Sequence, residues 1–281
     1  MSAVKKPPAA APVPVTLRLR ALHAPKEGNA EDEYEDAFAF QKPPAAPPNA
    51  DGTAGSGPPR MTSFTVALSD GASSAVFARQ WARLLVGDFA SGPFPTAAVE
   101  VTKRIALLGR RWKEQVSGGR GGASLPWYAQ EKLPQGSSAS LLVVTWDLAG
   151  RRTFRAHAVG DSCLFVVRAN TLRHVFPVAR SDDFGTHPDL LSTEVGTRGR
   201  PTLPPFAGIE RSFDPGDRFL LMTDALAHWF LSEHEAGNKP WDALPTDDAA
   251  FRAWLKECRD GGRMKNDDVT LLTLSVVPAA A

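Results

Sequence analysis

Asp214-Pro215-Gly216-Asp217-Arg218-Phe219-Leu220-Leu221-Met222-Thr223-Asp224 decides how the chain is read. Pro presets one turn dihedral and Gly tolerates the other, so residues 214–217 form a turn. Arg218 to Met222 is a short apolar run between polar residues, the pattern of a buried strand. It ends on a carboxylate, Asp224. Leu226, Trp229 and Phe230 then begin a helix. The unit is strand, acid, helix.

The same unit appears elsewhere. Phe64, Val66 and Leu68 share one face of a strand that closes at Ser69-Asp70-Gly71, and Phe77, Trp81, Leu84 and Leu85 behind it have helical spacing. Asp267, within Asn266-Asp267-Asp268, stands just before an apolar strand from Val269 to Val277. Glu35 and Asp36 precede a strand candidate at Ala37-Phe38-Ala39-Phe40.

The rest of the chain fills in around these units. Val15, Leu17, Leu19 and Ala21 alternate with polar residues as in a half-buried strand. Val101, Ile105, Leu108 and Trp112 make one stripe of a helix over 95–116. A short helix is expected over 124–132, strands over 138–147, 151–160, 162–168, 171–178 and 206–213, and a helix around Phe251, Trp254, Leu255 and Cys258. Residues 179–205 read as a surface loop or flap. The Ala/Pro/Lys-rich residues 1–12 read as a disordered tail, and 41–61 as a flexible Pro/Gly-rich loop. One domain over 13–278 is expected. Strands outnumber helices, and the helices come in pairs. The fold class is therefore α+β, two packed antiparallel β-sheets flanked by helices in an α-β-β-α sandwich.

Composition narrows the function. The chain has 281 residues, 43% of them hydrophobic, with 32 Lys plus Arg against 31 Asp plus Glu, so no strong field favours nucleic acid or an anionic membrane. No run approaches the ~20 apolar residues that span a bilayer, and Met1 to Pro14 lacks the apolar core of a signal peptide. Cys163 and Cys258 are the only cysteines, too few for a disulfide framework or a Cys-rich zinc site, and read as core thiols. A reduced, cytoplasmic setting is the expectation.

Carboxylates at the ends of several strands can converge at one rim of a sandwich. Two ionised carboxylates at ~4 Å repel by about 4 kcal/mol at an effective dielectric near 20. A divalent cation removes that penalty, and an all-oxygen ligand set selects Mg²⁺, Mn²⁺ or Ca²⁺ over zinc. Each Asp taken singly also fits a turn former or a helix N-cap, Asp70 and Asp224 above all, since both precede helices.

Five short words together resemble the metal-dependent Ser/Thr protein phosphatases of type 2C, in a bacterial form. Ser69-Asp70-Gly71-Ala72 is similar to the family's Asp-Gly motif, and Ala158-Val159-Gly160-Asp161-Ser162 to its Val-Gly-Asp-Ser motif. Phe219 to Leu226 is similar to Leu-Leu-Ser-Asp-Gly-Leu, Asn266-Asp267-Asp268-Val269-Thr270 to Asp-Asn-hydrophobic-Thr, and Glu35-Asp36-Ala37 to Asn-Glu-Asp. Their order and spacing cover about 15–277. The resemblance implies that Asp70 bridges two Mn²⁺ or Mg²⁺ ions, that the Gly71 carbonyl binds one, and that Asp224 and Asp267 complete the first shell. Glu35 or Asp36 would act on the second ion. Asp161 matches a third-ion position in bacterial members, and a core-turn role fits it equally. The implied activity is hydrolysis of phosphoserine and phosphothreonine in a phosphoprotein partner, countering a kinase.

The chain also departs from the family pattern. Ala72-Ser73-Ser74 follows Asp70-Gly71 where many members have His-Gly-Gly. Glu31 stands near the place of a phosphate-binding Arg; Lys26, Arg18 or Arg20 is the candidate substitute, and nothing in the sequence selects one. Tyr34 replaces an Asn, and His228 replaces a second Asp four residues past the first. A lone His228 beside Trp229, and His157 on a strand, fit structural roles. These departures carry the second reading: a pseudophosphatase, binding or regulating with little turnover.

Overall fold

The computed structural model of the chain describes residues 14–42, 61–117, 127–185, 188–195 and 202–279. The tail at 1–12 and nearly all of the loop at 41–61 lie outside these residues. One five-stranded antiparallel sheet has the order β1 (Val15–Ala24), β12 (Val269–Pro278), β11 (Arg218–Met222), β7 (Cys163–Arg168), β8 (Thr171–Phe176). The other has the order β10 (Ala207–Ser212), β6 (Thr153–Val159), β5 (Leu141–Asp147), β3 (Ser63–Ser69), β2 (Ala37–Phe40). A small ribbon pairs β4 (Ser138–Ala139) with β9 (Leu191–Ser192).

Helices α1 (Ala78–Phe89) and α2 (Ala98–Ser117) cover the outer face of the second sheet; α3 (Trp127–Lys132) follows them. Helices α4 (Asp224–Glu235), α5 (Pro240–Ala243) and α6 (Asp248–Asp260) cover the first. The expected α+β sandwich is present.

Three apolar layers hold it together. Between the sheets, Val66, Leu68, Leu142, Val144 and Trp146 meet Leu164, Val166, Phe219, Leu221 and Leu272. Their neighbours face outward: Ala67, Leu141 and Val143 pack under Trp81, Leu85 and Trp112. In the first sheet Phe165, Leu220, Met222 and Leu271 pack under Leu226, Phe230 and Phe251. Central strands thus bury both faces, and their sequences are continuous apolar runs instead of alternating ones. Each fully buried large side chain contributes on the order of 2 kcal/mol. Cys163 and Cys258 are free thiols inside the first-sheet layer, as expected.

Two sequence expectations change. The run 138–147 is two strands, parted at Ser140. The Ser140 N–H donates to the Asp70 carbonyl (2.8 Å) and its Oγ accepts from the Asp70 N–H (3.0 Å). Ser140 keeps the register opposite Asp70, but the Asp70 N–H goes to the Ser140 hydroxyl where a regular ladder would use the Ser140 carbonyl, which accepts from Ser69 Oγ at 2.6 Å instead. The described part of 179–205 is no free surface loop at 191–195. Trp81 Nε1 donates to the Leu191 carbonyl (2.8 Å), Thr193 Oγ1 accepts from the Ser137 N–H (3.0 Å), and buried Glu194 pairs with Lys113 (2.8 Å).

The turn at 214–217 aims β11 at its terminal acid. Asp217 is wholly buried and accepts from Arg168 Nε and Nη2, both at 2.7 Å, and from the Asp214 N–H at 2.9 Å. Exposed Asp214 also pairs with Arg168. Asp217→Ala should lower the unfolding free energy by about 3 kcal/mol, because a partly buried guanidinium and an N–H lose their acceptor. Asp214→Ala should cost less than about 1 kcal/mol. Urea unfolding of both variants measures this; equal losses would rule out the buried carboxylate as the main contributor.

Candidate metal centre at one rim of the sandwich

Antiparallel register dictates which strand ends meet. Ala37 pairs with Ser69, Leu68 with Leu142, and Leu141 with Val159. In the facing sheet Cys163 pairs with Met222, Met222 with Leu271, and Val269 with Ala24. Asp36, Asp70, Asp161, Asp224 and Asp267 each stand one or two residues beyond these ends, and so does Lys26. All six therefore share one rim, although they are separated by up to 241 positions in the chain.

A pocket of about 780 Å³ opens there, lined by Asp70, Gly71, Asp161, Asp224 and Asp267. Lys26, His228 and Lys265 line it too, and Phe184, Pro188 and Leu190 form an apolar side. Glu35 and Asp36 lie outside this lining. Another cavity, of about 970 Å³, includes Phe94, Val101, His157 and Phe206 but no carboxylate. His157 stacks on Phe94 at 4.2 Å there, a packing role as expected.

Asp70 is the hub. Burial, and then the charges of Asp36, Asp224, Asp161 and Asp267, push its carboxyl well above the ordinary range. Burial and then Asp267 raise Asp224, against the opposing pull of Lys265 and a hydrogen bond with Asp70. Burial and Asp224 raise Asp161 to about 6. Glu35, at the margin, is raised by burial, while a Ser73 hydrogen bond and Lys26 at 3.8 Å oppose that shift.

Asp36 lies beneath the pocket, 2% exposed, and accepts from Thr270 Oγ1 at 2.7 Å. Its other oxygen is buried without a hydrogen-bond partner. Burial raises its pKa, with Asp268 and Asp224 adding to the shift.

Gly71 is required by space: a Cβ there would lie 2.9 Å from the Glu35 carbonyl and 3.0 Å from Ala78. Gly160 has φ +93°, and a Cβ would lie 2.6 Å from that of Ser140. The cap readings fare differently. Asp70 caps nothing, since α1 starts only at Ala78. Asp224 is the first residue of α4 and accepts from the Ala225 N–H at 2.6 Å.

Several supporting residues carry no signal in their spacing. Buried Asp268 accepts from the backbone N–H groups of Lys26 (2.8 Å) and Glu35 (2.6 Å), tying the segment after β1 to the start of β12. Tyr34 is buried and hydrogen-bonded to Thr270, whose N–H donates to Thr223 Oγ1 at 2.9 Å. Ser140 Oγ meets Ser162 Oγ at 2.8 Å. Arg259 reaches the carbonyls of Asp267 (2.6 Å) and Pro25 (3.3 Å). Of the three phosphate-gripping substitutes, Arg18 and Arg20 are exposed on β1, with Arg20 bonded to the Thr246 carbonyl, and Lys26 alone lines the pocket. Lys265, unmarked by the sequence pattern, does so as well.

Among the described residues, no three acidic, thiol or imidazole groups stand ready-placed around a single point for a metal ion. The carboxylates are satisfied instead by one another and by Lys265, 2.5 Å from Asp267 and 3.7 Å from Asp224. A divalent cation nevertheless suits the residues. The donors are all oxygen, burial and then neighbouring acids raise the proton affinities of Asp36, Asp70, Asp161 and Asp224, and Asp36 keeps an unpaired buried oxygen.

No protein-family profile and no curated protein matches the chain. Solved structures do. The catalytic domain of the serine/threonine protein phosphatase PstP, in complex with two manganese ions, aligns with TM-score 0.55 and 16% identity over 94% of this chain and 99% of that one. A bacterial serine phosphatase aligns with TM-score 0.54 and 12% identity over 95% and 100%. The serine/threonine phosphatase of S. agalactiae aligns with TM-score 0.52 and 12% identity over 92% and 99%. The chain has the fold of the type 2C protein phosphatases.

Raised carboxyl values carry a pH signature. The folded state binds these protons more tightly than the unfolded chain, whose Asp groups titrate near 3.9. The stabilising contribution is therefore complete below about pH 4 and lost as pH rises through the folded values, about 6 for Asp161. In EDTA the thermal midpoint should fall between pH 5 and 7, and Asp161→Asn should flatten that fall. Millimolar Mn²⁺ should restore the midpoint at pH 7. Scanning calorimetry across this range reads it; a midpoint independent of pH in EDTA would contradict the raised values that burial and then neighbouring acids produce.

Proposed function

We propose that this chain hydrolyses phosphoserine and phosphothreonine in proteins, with two divalent cations, Mn²⁺ or Mg²⁺, held at the rim pocket. One observation carries the reading: Asp70 has Asp36, Asp161, Asp224 and Asp267 as its charged surroundings, at the foot of an open pocket. The fold shared with phosphatases supports it, including one solved with two manganese ions.

In this reading Asp70, the Gly71 carbonyl, Asp224 and Asp267 would hold the cations, with Asp36 or Glu35 toward the second. Asp161 would serve a third, weaker position. Divalent cations at such a site acidify water for attack on phosphorus and offset phosphoryl charge. The chain itself holds those charges in place, through Ser140 on Asp70 and Thr270 on Asp36. Lys26 lies in the pocket wall, positioned to meet a phosphoryl oxygen. Phe184, Pro188 and Leu190 offer an apolar surface to the substrate polypeptide, and His228 sits beside them, 5.6 Å from the Phe184 ring. The same proposal includes a cytoplasmic setting and a Ser/Thr kinase whose products it reverses. Among the described residues, no helix is long and apolar enough to cross a membrane.

A second reading keeps the fold and drops the turnover. Ala72 offers no imidazole where many relatives of the type have one, and Tyr34 is engaged with Thr270. Turnover of p-nitrophenyl phosphate and of a phosphothreonine peptide separates the two. Activity should need Mn²⁺ or Mg²⁺, stop in EDTA, and fall by at least about 100-fold in Asp70→Ala and Asp224→Ala. Lys26→Met should raise KM for the peptide about tenfold, the worth of one charge-assisted hydrogen bond. Cation binding without any turnover would establish the pseudophosphatase.

A further inference from the structure

We propose that Lys265 is a tethered counter-cation that competes with divalent metal for Asp224 and Asp267, and so sets the metal concentration at which the site fills. The inference rests on the metal-site reading above and concerns its regulation.

The backbone around Lys265 is fixed on both sides. Gly261 and Gly262 turn the chain out of α6, and the Arg263 N–H donates to the Cys258 carbonyl at 2.9 Å. Met264 is buried in the first-sheet core. Asn266 Oδ1 accepts from the Glu27 N–H at 2.7 Å, and its Nδ2 donates to the Glu27 carbonyl at 3.2 Å. The residue between these two anchors is delivered to the pocket wall.

Its ammonium reaches both acids at once, 2.5 Å from Asp267 Oδ2 and 3.7 Å from Asp224 Oδ2. Among the described residues no other Lys or Arg forms an ion pair with either. Lys26 pairs with Glu35, and Arg259 bonds to backbone carbonyls. One monovalent charge thus occupies two of the carboxylates that would hold a divalent cation.

The side chain can also leave. Lys265 is 68% exposed, so its ammonium exchanges carboxylates for water at small cost, whereas a buried pair would not open. A divalent ion brings twice the charge to the same oxygens. Binding then becomes an exchange: the metal enters as the ammonium departs. Removing the ammonium removes the competitor, and a half-exposed pair of this kind shifts affinity by about fivefold.

Isothermal titration of the full chain with MnCl₂, after EDTA treatment and dialysis, tests the exchange. Lys265→Met should tighten the Mn²⁺ dissociation constant about fivefold, while Lys265→Arg, which keeps the charge, stays within about twofold of the parent. Lys26→Met removes an equal charge from the same pocket, but its ion pair is a long 3.8 Å one to Glu35, outside the lining and away from Asp224 and Asp267, so it should change the constant less than twofold. Acetylation of the parent by an N-hydroxysuccinimide ester, read by peptide mass spectrometry, should accelerate at Lys265 when Mn²⁺ is added, because the amine loses its partners. Unchanged or weaker binding in Lys265→Met overturns the proposal, as does an equal gain in Lys26→Met or unaltered labelling of Lys265 while Mn²⁺ binds. If neither parent nor Lys265→Met binds Mn²⁺, the metal-site reading falls and takes this one with it. Binding by the parent that is lost in Asp224→Asn keeps the metal site standing whatever Lys265 does.

Discussion

Mutual repulsion among carboxylates at one rim is the constraint that the surrounding structure answers. Asp36, Asp70, Asp161 and Asp224 are each raised above the ordinary range, and in every case burial is the largest cause. A fold gains nothing in stability from collecting such groups, since each would be better solvated apart. The collection persists because strand register leaves it no alternative. Once Leu68 lies opposite Leu142 and Met222 opposite Leu271, the acids that follow are on the same rim. Apolar burial between and outside the sheets supplies the stability that offsets the repulsion.

Holding acids together also requires a stiff backbone, and polar residues behind the pocket provide it. Asp268 joins two segments by accepting from Lys26 and Glu35. Thr270 links Tyr34, Asp36 and Thr223 in one chain of hydrogen bonds. Ser140, in register opposite Asp70, binds both of its backbone groups, using its hydroxyl for the Asp70 N–H. The diverted Asp70 N–H explains the break between β4 and β5, and close approach explains the glycine at position 71. The chain after β3 passes so close to the Glu35 carbonyl that any side chain would push it away.

What the sequence disclosed follows from the range of each signal. Apolar runs mark buried strands wherever they lie, so β3, β5, β11 and β12 were legible, and the acids at their ends with them. The clustering of Asp70, Asp161, Asp224 and Asp267 was legible only through short words, because spacing along a chain says nothing about register between sheets. Hydrogen-bonding roles were hidden for the same reason. Asp268 looked like a second acid in a motif, yet its charge is used on backbone N–H groups. Tyr34 looked like a missing Asn, yet it is a buried partner of Thr270. Segment 191–195 was misjudged because its Thr and Glu resemble loop residues until Ser137 and Lys113 are seen beside them. Lys26 could not be told from Arg18 and Arg20 until β1 was seen to turn the two arginines outward.

Cation placement is the last step that separates catalysis from mere binding. Phosphoryl transfer gains most from positive charge held where negative charge develops. The pocket has two lysines with opposite relations to that charge. Lys26 pairs loosely with a marginal acid, Glu35, and keeps its ammonium in the wall. Lys265 is drawn onto Asp224 and Asp267, with its affinity for protons raised first of all by the hydrogen bond to Asp267. In the proposed exchange Lys265 occupies Asp224 and Asp267, while Asp36, Asp70 and Asp161 are left to attract metal. Metal bound there would free that ammonium to the pocket. On that exchange the same two carboxylates could not serve both partners at once, and the balance between Lys265 and metal would set how far the rim stays a closed ion-pair network.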